Sequence, residues 1–254
     1  MSALPALPWE RPDDRSPLSH RLAADTARAV IERRHPAGTL LTETDLAAAH
    51  GASRTPAREA MLRLHSWGLV RLLPKKGAIV SEATPRERRD LLALRAMLEV
   101  EAVRTLAAGP GPGPGRGRGP ATGQEGGLTT GQEDGPAAGS ATGLAADLEV
   151  ILARQRAALE SHDVLDFAGA DYAFHARVIQ GGGNHVVAEL LDTLGPRWAR
   201  LTYLAVTENP PRLETFLREH EGLTARALAG DAEGFSALVR SHIEYGHFTD
   251  GGRP

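Results

Sequence analysis

Apolar residues recur at helical spacing in the first eighty positions of the chain. The first predicted helix covers 18–34, and its apolar face holds Leu22, Ala27 and Ile31. A second, shorter helix is predicted over 42–50, because a threonine with an aspartate three positions later favours a capped helix start and a glycine follows the segment. The pattern therefore opens with two helices of unequal length.

A third helix and a short hairpin follow directly. Ser53 is a favourable N-cap residue, and Gly68 ends the helix. An apolar run over 69–73 precedes a Pro-Lys-Lys-Gly turn and a second apolar run within 74–80, which predicts a β-hairpin. Three helices and a hairpin over 18–82 have the outline of a winged helix-turn-helix, a DNA-reading module.

The rest of the chain is helical in pattern. Thr84 opens a capping box, and the helical spacing that follows continues to Ala108. From Leu144 onward we count about five further helices, and no strand pattern occurs outside the N-terminal hairpin. The predicted fold class is mainly α, with a winged helix-turn-helix followed by an all-α helical bundle over 84–248.

Two segments lack the pattern of a packed element. Residues 109–143 contain 13 glycines and repeat Thr-Gly-Gln-Glu at 122 and 130. Such a composition cannot bury enough apolar surface to offset the entropy of ordering, so we expect a disordered insertion that loops out of the second domain. Residues 1–17 are rich in proline and charge, and we expect a flexible arm.

Composition narrows the class of protein. The chain has 254 residues, 41% of them hydrophobic, and no cysteine. The hydrophobic content suffices for real cores, and the lack of cysteine excludes disulfides and thiolate metal sites. The sequence has neither a secretory signal nor an apolar stretch long enough to span a bilayer. We therefore expect a soluble cytoplasmic protein without membrane association.

Charge is distributed unevenly along the chain. Residues 1–85 hold 12 Lys and Arg against 9 Asp and Glu, whereas the remainder holds 17 against 23. Only the N-terminal part thus suits a polyanionic partner such as double-stranded DNA. The alternative is a basic surface that merely interacts with solvent. The DNA-binding interpretation therefore depends on where the charges lie more than on their number.

The third helix carries the candidate base-reading residues. Arg54 and Arg58 are four residues apart, just off the apolar face, and Arg can donate bidentately to guanine in the major groove. Ser53 and Thr55 lie beside the helix N-terminus, where phosphate binds readily. These four residues form the helical part of the predicted DNA interface.

The hairpin turn supplies the remaining part of that interface. Lys75 and Lys76 are the only lysines of the protein, and Gly77 follows them. A basic wing tip of this kind contacts the DNA backbone or the neighbouring minor groove.

A second candidate site occurs in the helical domain. Asp171 and His175 are four residues apart, so one helix face presents a carboxylate and an imidazole. His220 and His242 occur in the middle of two later helices. One Asp with three His suits Zn²⁺, Ni²⁺ or Mn²⁺. A lone helical histidine is more often a surface or core residue, so spacing alone leaves both interpretations open.

The N-terminal part, over about 18–82, resembles the DNA-binding domain of the GntR family of bacterial transcription regulators. The resemblance rests on LTETDLA at 41–47, SRTPAREA at 53–60, Gly-Leu-Val at 68–70 and Lys76-Gly77. Members of this family often carry an arginine after the glutamate of helix two, where this chain has Thr44. Base reading is therefore expected to depend on Arg54, Arg58 and the wing.

The C-terminal part is similar to FCD, the all-helical effector domain of the FadR subfamily. The resemblance rests on DYAFH at 171–175, Gly183-Asn184, Glu219-His220 and His242. It implies that Asp171, His175, His220 and His242 hold a divalent metal ion, most often Zn²⁺. His185 and His247 have no place in that pattern, and we expect them at the surface or as capping residues.

The same resemblance gives Arg95 a role. It matches a first-helix arginine that faces the cavity and pairs with the carboxylate of an effector; an exposed helical arginine is the alternative. The resemblance as a whole implies a homodimeric, ligand-responsive regulator, most often a repressor, that binds operator DNA and a small carboxylate effector and has no enzymatic activity. The rivals are a metal-dependent hydrolase or isomerase with an Asp/His₃ centre, and a metal-free bundle whose histidines are structural.

Overall fold

The protein is described by a computed structural model that covers residues 15–109, 141–208 and 210–248. Most of the arm predicted at 1–17 and of the insertion predicted at 109–143 lies outside these residues. The described part confirms the predicted fold class of mainly α. Its elements are α1 Leu18–Ile31, β1 Leu40–Leu41, α2 Glu43–Ala49, α3 Arg54–Ser66, β2 Val70–Leu73, β3 Gly77–Val80, α4 Pro85–Ala108, α5 Ala141–Glu160, α6 Val164–Gly181, α7 His185–Glu208, a 3₁₀ helix Pro210–Arg212, α8 Leu213–Ala229 and α9 Ala232–His247.

Helices α1 to α3 and an antiparallel sheet of order β1-β3-β2 form a winged helix-turn-helix. Its core contains Leu22, Met61, Leu64 and Leu69. Strand β1 was missed by the sequence analysis because two residues are too short to show alternation.

The ends of two predicted helices need correction. Helix α1 ends three residues before the predicted Arg34, because Arg33 adopts a left-handed φ of 61° that no helix continues. Helix α5 begins at Ala141, three residues before the predicted Leu144.

The predicted helix caps give two different results. Thr42 accepts a hydrogen bond from the Asp45 backbone N–H at 3.0 Å, and Thr84 accepts one from Glu87 at 3.2 Å. Both caps are confirmed. Ser53 lies at the N-cap position of α3 as predicted, but its side chain makes no capping hydrogen bond. The hydroxyl of Ser53 is exposed instead.

Helix α6 is the central element of the bundle and packs against α4, α5 and α7. Every residue from Phe167 to Ile179 is buried, as expected of a helix enclosed by others. The α8–α9 pair packs on α5 and α4. Polar side chains on the buried part of α6 therefore face the interior of the domain, where each needs a partner.

No helix among the described residues is long and apolar enough to cross a membrane.

Helix α7 contacts both domains. Arg200 Nη1 donates to the carbonyl oxygen of Ser81 at 2.9 Å, in the segment between β3 and α4. The Arg197 side chain donates to Glu87 and lies against Gly68, where an added Cβ would be 2.8 Å from Arg197 Cδ. Gly68 follows the end of α3, so α7 contacts the end of the helix that carries the candidate base-reading residues.

Candidate metal centre and nucleic-acid interface

Four side chains from three helices converge inside the bundle. Asp171 and His175 come from α6, His220 from α8 and His242 from α9, and all four are buried. Their potential ligand atoms lie within 4.8 Å of one another. The structure thus brings together the whole set that the sequence analysis named as metal ligands.

The three imidazoles share one hydrogen-bonding arrangement. Each Nδ1 atom lies within hydrogen-bond distance of a side-chain acceptor from a neighbouring helix. The pairs are His175 with Glu99 Oε2 at 2.9 Å, His220 with Gln155 Oε1 at 3.0 Å, and His242 with Glu219 Oε2 at 2.8 Å. Donation from Nδ1–H leaves Nε2 as the free, ligating nitrogen.

The Nε2 atoms of His175 and His220 are buried and have no hydrogen-bond partner among the described residues. They lie 3.7 Å and 3.4 Å from the carboxylate oxygens of Asp171. Buried nitrogen lone pairs beside a carboxylate are costly unless they bind a proton or a cation. This donor set of three nitrogens and one carboxylate fits a divalent metal ion.

Asp171, the fourth member of the cluster, is also held in place. Thr202 on α7 donates its Oγ1–H to Oδ2 of Asp171 at 3.0 Å, and both residues are buried. Thr202, Glu99, Gln155 and Glu219 were all missed by the sequence analysis. Glu99 lies one turn after Arg95 on the same helix, and Glu219 stands beside His220 in the motif quoted for the resemblance. Gln155 and Thr202 carried no such signal and are brought to the cluster by tertiary packing.

Burial sets the protonation of the histidines. It lowers the pKa of His175 and of His220 well below the ordinary value, with contributions from Arg95 and from the neighbouring histidines. Both imidazoles are therefore neutral near pH 7, which is the form that ligates metal. Burial also raises the pKa of Asp171.

Arg95 lies in the same interior, with only 1% of its surface exposed. Its Nε is 3.5 Å from Glu99 Oε1, yet Nε and Nη2 have no hydrogen-bond partner among the described residues. Burial raises the pKa of Glu99 to about 8, and its Oε1 makes no hydrogen bond to Arg95, so these donors of Arg95 stay unused. The alternative of an exposed helical arginine is wrong.

His185 is exposed, as expected, whereas His247 is not a surface residue. The His247 side chain is 8% exposed, and its Nδ1 has no hydrogen-bond partner among the described residues. The end of α9 turns this side chain inward, so the lack of a place in the ligand pattern did not mean exposure to solvent.

Most of the predicted DNA-reading residues line one groove of about 660 Å³ on the N-terminal domain. The lining includes Arg54 and Arg58 from α3, Lys75 and Lys76 from the wing, and Thr44 from α2. The four basic side chains are exposed. Thr55 and Ser53 are exposed at the start of α3.

The backbone conformation and the close packing at position 77 of the wing favour glycine there. Its φ is 110°, and an added Cβ would overlap the carbonyl oxygen of Leu41 on β1. Arg63 of α3 does not line this groove and is half-buried: its Nη2 is 2.6 Å from His20 Nε2, and its guanidinium lies 5.9 Å from the Trp67 ring centroid.

A winged helix-turn-helix joined to an all-α bundle is an architecture of transcription regulators. Residues 18–80 match the family described as bacterial regulatory proteins, gntR family, and residues 137–245 match the FCD domain. The chain belongs to the GntR family and carries an FCD effector domain. It is a transcription regulator.

Individual transcription regulators are similar to this chain in sequence or in fold. An HTH-type transcriptional regulator in an unstable DNA locus of Streptomyces ambofaciens is 26% identical over 206 residues, covering 81% of this chain and 73% of that protein. The HTH-type transcriptional repressor RspR of Escherichia coli K12 is 21% identical over 229 residues, covering 90% and 86%. The solved structure of E. coli McbR/YncC superposes with a TM-score of 0.66 at 19% identity, over 91% of this chain and 95% of that one, which shows a shared fold.

Proposed function

We propose that this protein is a transcriptional repressor whose helical domain binds a small organic acid at a divalent metal ion. The observation that carries the proposal is the buried cluster of Asp171, His175, His220 and His242, with Arg95 beside it. The relationship to a repressor such as RspR supports the direction of regulation.

Asp171, His175, His220 and His242 would hold the ion, with Zn²⁺ favoured over Ni²⁺ or Mn²⁺ by the nitrogen-rich donor set. When bound, the ion would attract a carboxylate oxygen of the effector as a Lewis acid. Glu99, Gln155 and Glu219 orient the imidazoles by accepting from Nδ1, and Thr202 orients the carboxylate of Asp171.

Arg95 is the group we assign to the effector's carboxylate. A desolvated guanidinium with unused donors binds a carboxylate strongly, because the hydrogen bonds are charge-assisted and can be bidentate. The effector would thus be fixed between the metal ligands and Arg95, inside the bundle.

In the N-terminal domain, Arg54 and Arg58 would read base edges in the major groove. Ser53, Thr55, Lys75 and Lys76 would contact phosphates, while Gly77 shapes the wing. We propose that two copies of the chain bind a pseudo-palindromic operator, since recognition helices of a dimer enter successive major grooves. Operator DNA is chromosomal, so the protein would act in the bacterial cytoplasm.

Helix α7 offers the route from effector to DNA. It is hydrogen-bonded to Asp171 through Thr202 and to the interdomain segment through Arg200, and its Arg197 side chain lies against Gly68 at the end of α3. An effector that binds one position of α7 better than another would shift the relative geometry of the domains by that difference in affinity.

Metal analysis and DNA binding test this function together. Purified protein should contain about one equivalent of metal per chain, and His220→Ala should lose it. An operator selected from random DNA should bind the metal-loaded protein, and a small carboxylic acid should weaken that binding. Metal-free purified protein that cannot be reconstituted would support structural histidines, and metal-dependent turnover of an ester or carboxylate would support the hydrolase or isomerase alternative.

A further inference from the structure

A second group of positively charged and hydrogen-bond-donating side chains lies next to Arg95. It consists of Arg88 on α4, Arg212 at the end of the 3₁₀ helix and His247 at the end of α9. The Nδ1 of His247 and the Nη1 of Arg212 are buried, and neither has a hydrogen-bond partner among the described residues. Unpaired buried donors cost stability unless an acceptor reaches them.

Contacts and charge place these groups in one region. Arg88 Nη1 donates to the carbonyl oxygen of His247 at 3.3 Å. Besides burial, the positive charges of Arg95, Arg88 and Arg212 all lower the pKa of His247, so these three guanidinium groups lie within electrostatic range of its ring. The imidazole is therefore neutral near pH 7 and can donate one N–H to an anion.

The acidic groups nearby do not occupy these donors. Glu208 is 3.8 Å from Arg88, but its side chain is 47% exposed, so it partners Arg88 at the rim only. The Oε2 of Glu99 lies 2.9 Å from Nδ1 of His175, and its Oε1 makes no hydrogen bond to Arg95. Arg95, His247 and the half-buried Arg212 thus form an electropositive wall with unused, buried donor atoms.

We propose that the effector is a dicarboxylic acid whose second carboxylate binds His247 and Arg212. This inference rests on the proposed function, which places the first carboxylate at the metal ligands and Arg95. Neither His247 nor Arg212 belongs to the predicted metal site, and together they would set the preference for a dianion over a monoanion. A monocarboxylate would leave their donors unpaired, and it would bind more weakly for that reason.

Isothermal titration of the full-length, zinc-loaded protein tests the inference with matched pairs of acids. The pairs are succinate with butyrate, glutarate with valerate, and malate with 3-hydroxybutyrate. We expect at least one dicarboxylate to bind about tenfold more tightly than its partner. His247→Gln and Arg212→Gln should reduce that preference to about twofold or less, with zinc content and melting temperature measured on each variant. Arg218→Gln, at an exposed arginine of α8, should keep it.

The outcomes separate the two proposals. Equal affinity for both members of every pair, or a preference that survives both substitutions, overturns the dicarboxylate inference and leaves the proposed function standing. Failure of all acids to bind the zinc-loaded protein removes the proposed function and this inference with it. If Arg212→Gln does not fold, His247→Gln and the wild-type series decide the question.

Discussion

Thr202 and Asp171 are joined by a buried hydrogen bond of 3.0 Å between two helices, from the threonine hydroxyl to the carboxylate Oδ2. Two residues before Thr202, Arg200 donates to the backbone of Ser81 in the interdomain segment. A single helix thus holds a predicted metal ligand at one point and the domain junction at another.

Replacing Thr202 with valine should weaken metal binding without unfolding the bundle. Valine keeps the shape and removes the hydroxyl that orients Asp171, and loss of such a supporting contact typically lowers metal affinity about 10–100-fold. Competition with a zinc-chelating dye measures the affinity directly.

Thr207→Val is the matched control, because that hydroxyl bonds only to backbone carbonyls of its own helix. It should retain wild-type zinc affinity. Equal zinc affinity in Thr202→Val and the wild type would show that the hydroxyl does not support the site.

Arg95→Met should make the ligand-free protein as stable as the wild type or more stable, by about 1–3 kcal/mol, while it lowers effector affinity at least tenfold. The reason is that a buried guanidinium with unused donors costs free energy until an anion arrives. Thermal melts with and without an acid that binds the wild type measure both effects. Arg104→Met, at an exposed arginine of the same helix, should change neither.

Much of the fold was predictable because its signals are local. The caps at Thr42 and Thr84 and the glycine that ends α3 each act within one turn of helix, so the sequence analysis located the helices to within a few residues. The spacing of Asp171 and His175 likewise reports a shared helix face.

The partners of the ligands were not predictable in this way. Gln155 meets His220 across 65 positions of the chain, and Glu99 meets His175 across 76. Such pairs depend on how helices pack, and no local pattern of a lone glutamine or glutamate encodes it. The burial of His247 was missed for the same reason.

Arg58→Ala should weaken binding to a selected operator by about 1–3 kcal/mol and relax the base preference at one position, since a bidentate contact to guanine would be lost. Lys75→Ala should instead weaken binding to all sequences. It should also reduce the slope of the logarithm of affinity against the logarithm of salt concentration by about one. Fluorescence anisotropy at several salt concentrations separates the two. Arg63→Ala is the control within α3, because Arg63 faces His20 and the Trp67 ring. An operator affinity unchanged by Arg58→Ala would remove this arginine from the interface.

His247 should make the protein less stable in mild acid. Burial lowers its pKa well below the ordinary value, and the charges of Arg95, His242, Arg88 and Arg212 act in the same direction. The unfolded chain binds a proton near pH 6.5 and the folded chain does not, so this contribution to stability is complete above that pH and is lost as the pH falls below it. Relative to His247→Gln, the wild type should therefore lose roughly 1 kcal/mol of unfolding free energy between pH 7 and pH 5.5.

Urea unfolding of both proteins across that pH range measures the difference, in which the other histidines cancel because both proteins contain them. His185→Gln, at the exposed histidine that begins α7, is the matched control and should follow the wild-type pH dependence. Parallel curves for the wild type and His247→Gln would mean that the imidazole takes up its proton in the folded protein as readily as in the unfolded chain. An electropositive wall around His247 would then be ruled out, because uncompensated guanidinium charge and burial both oppose that proton.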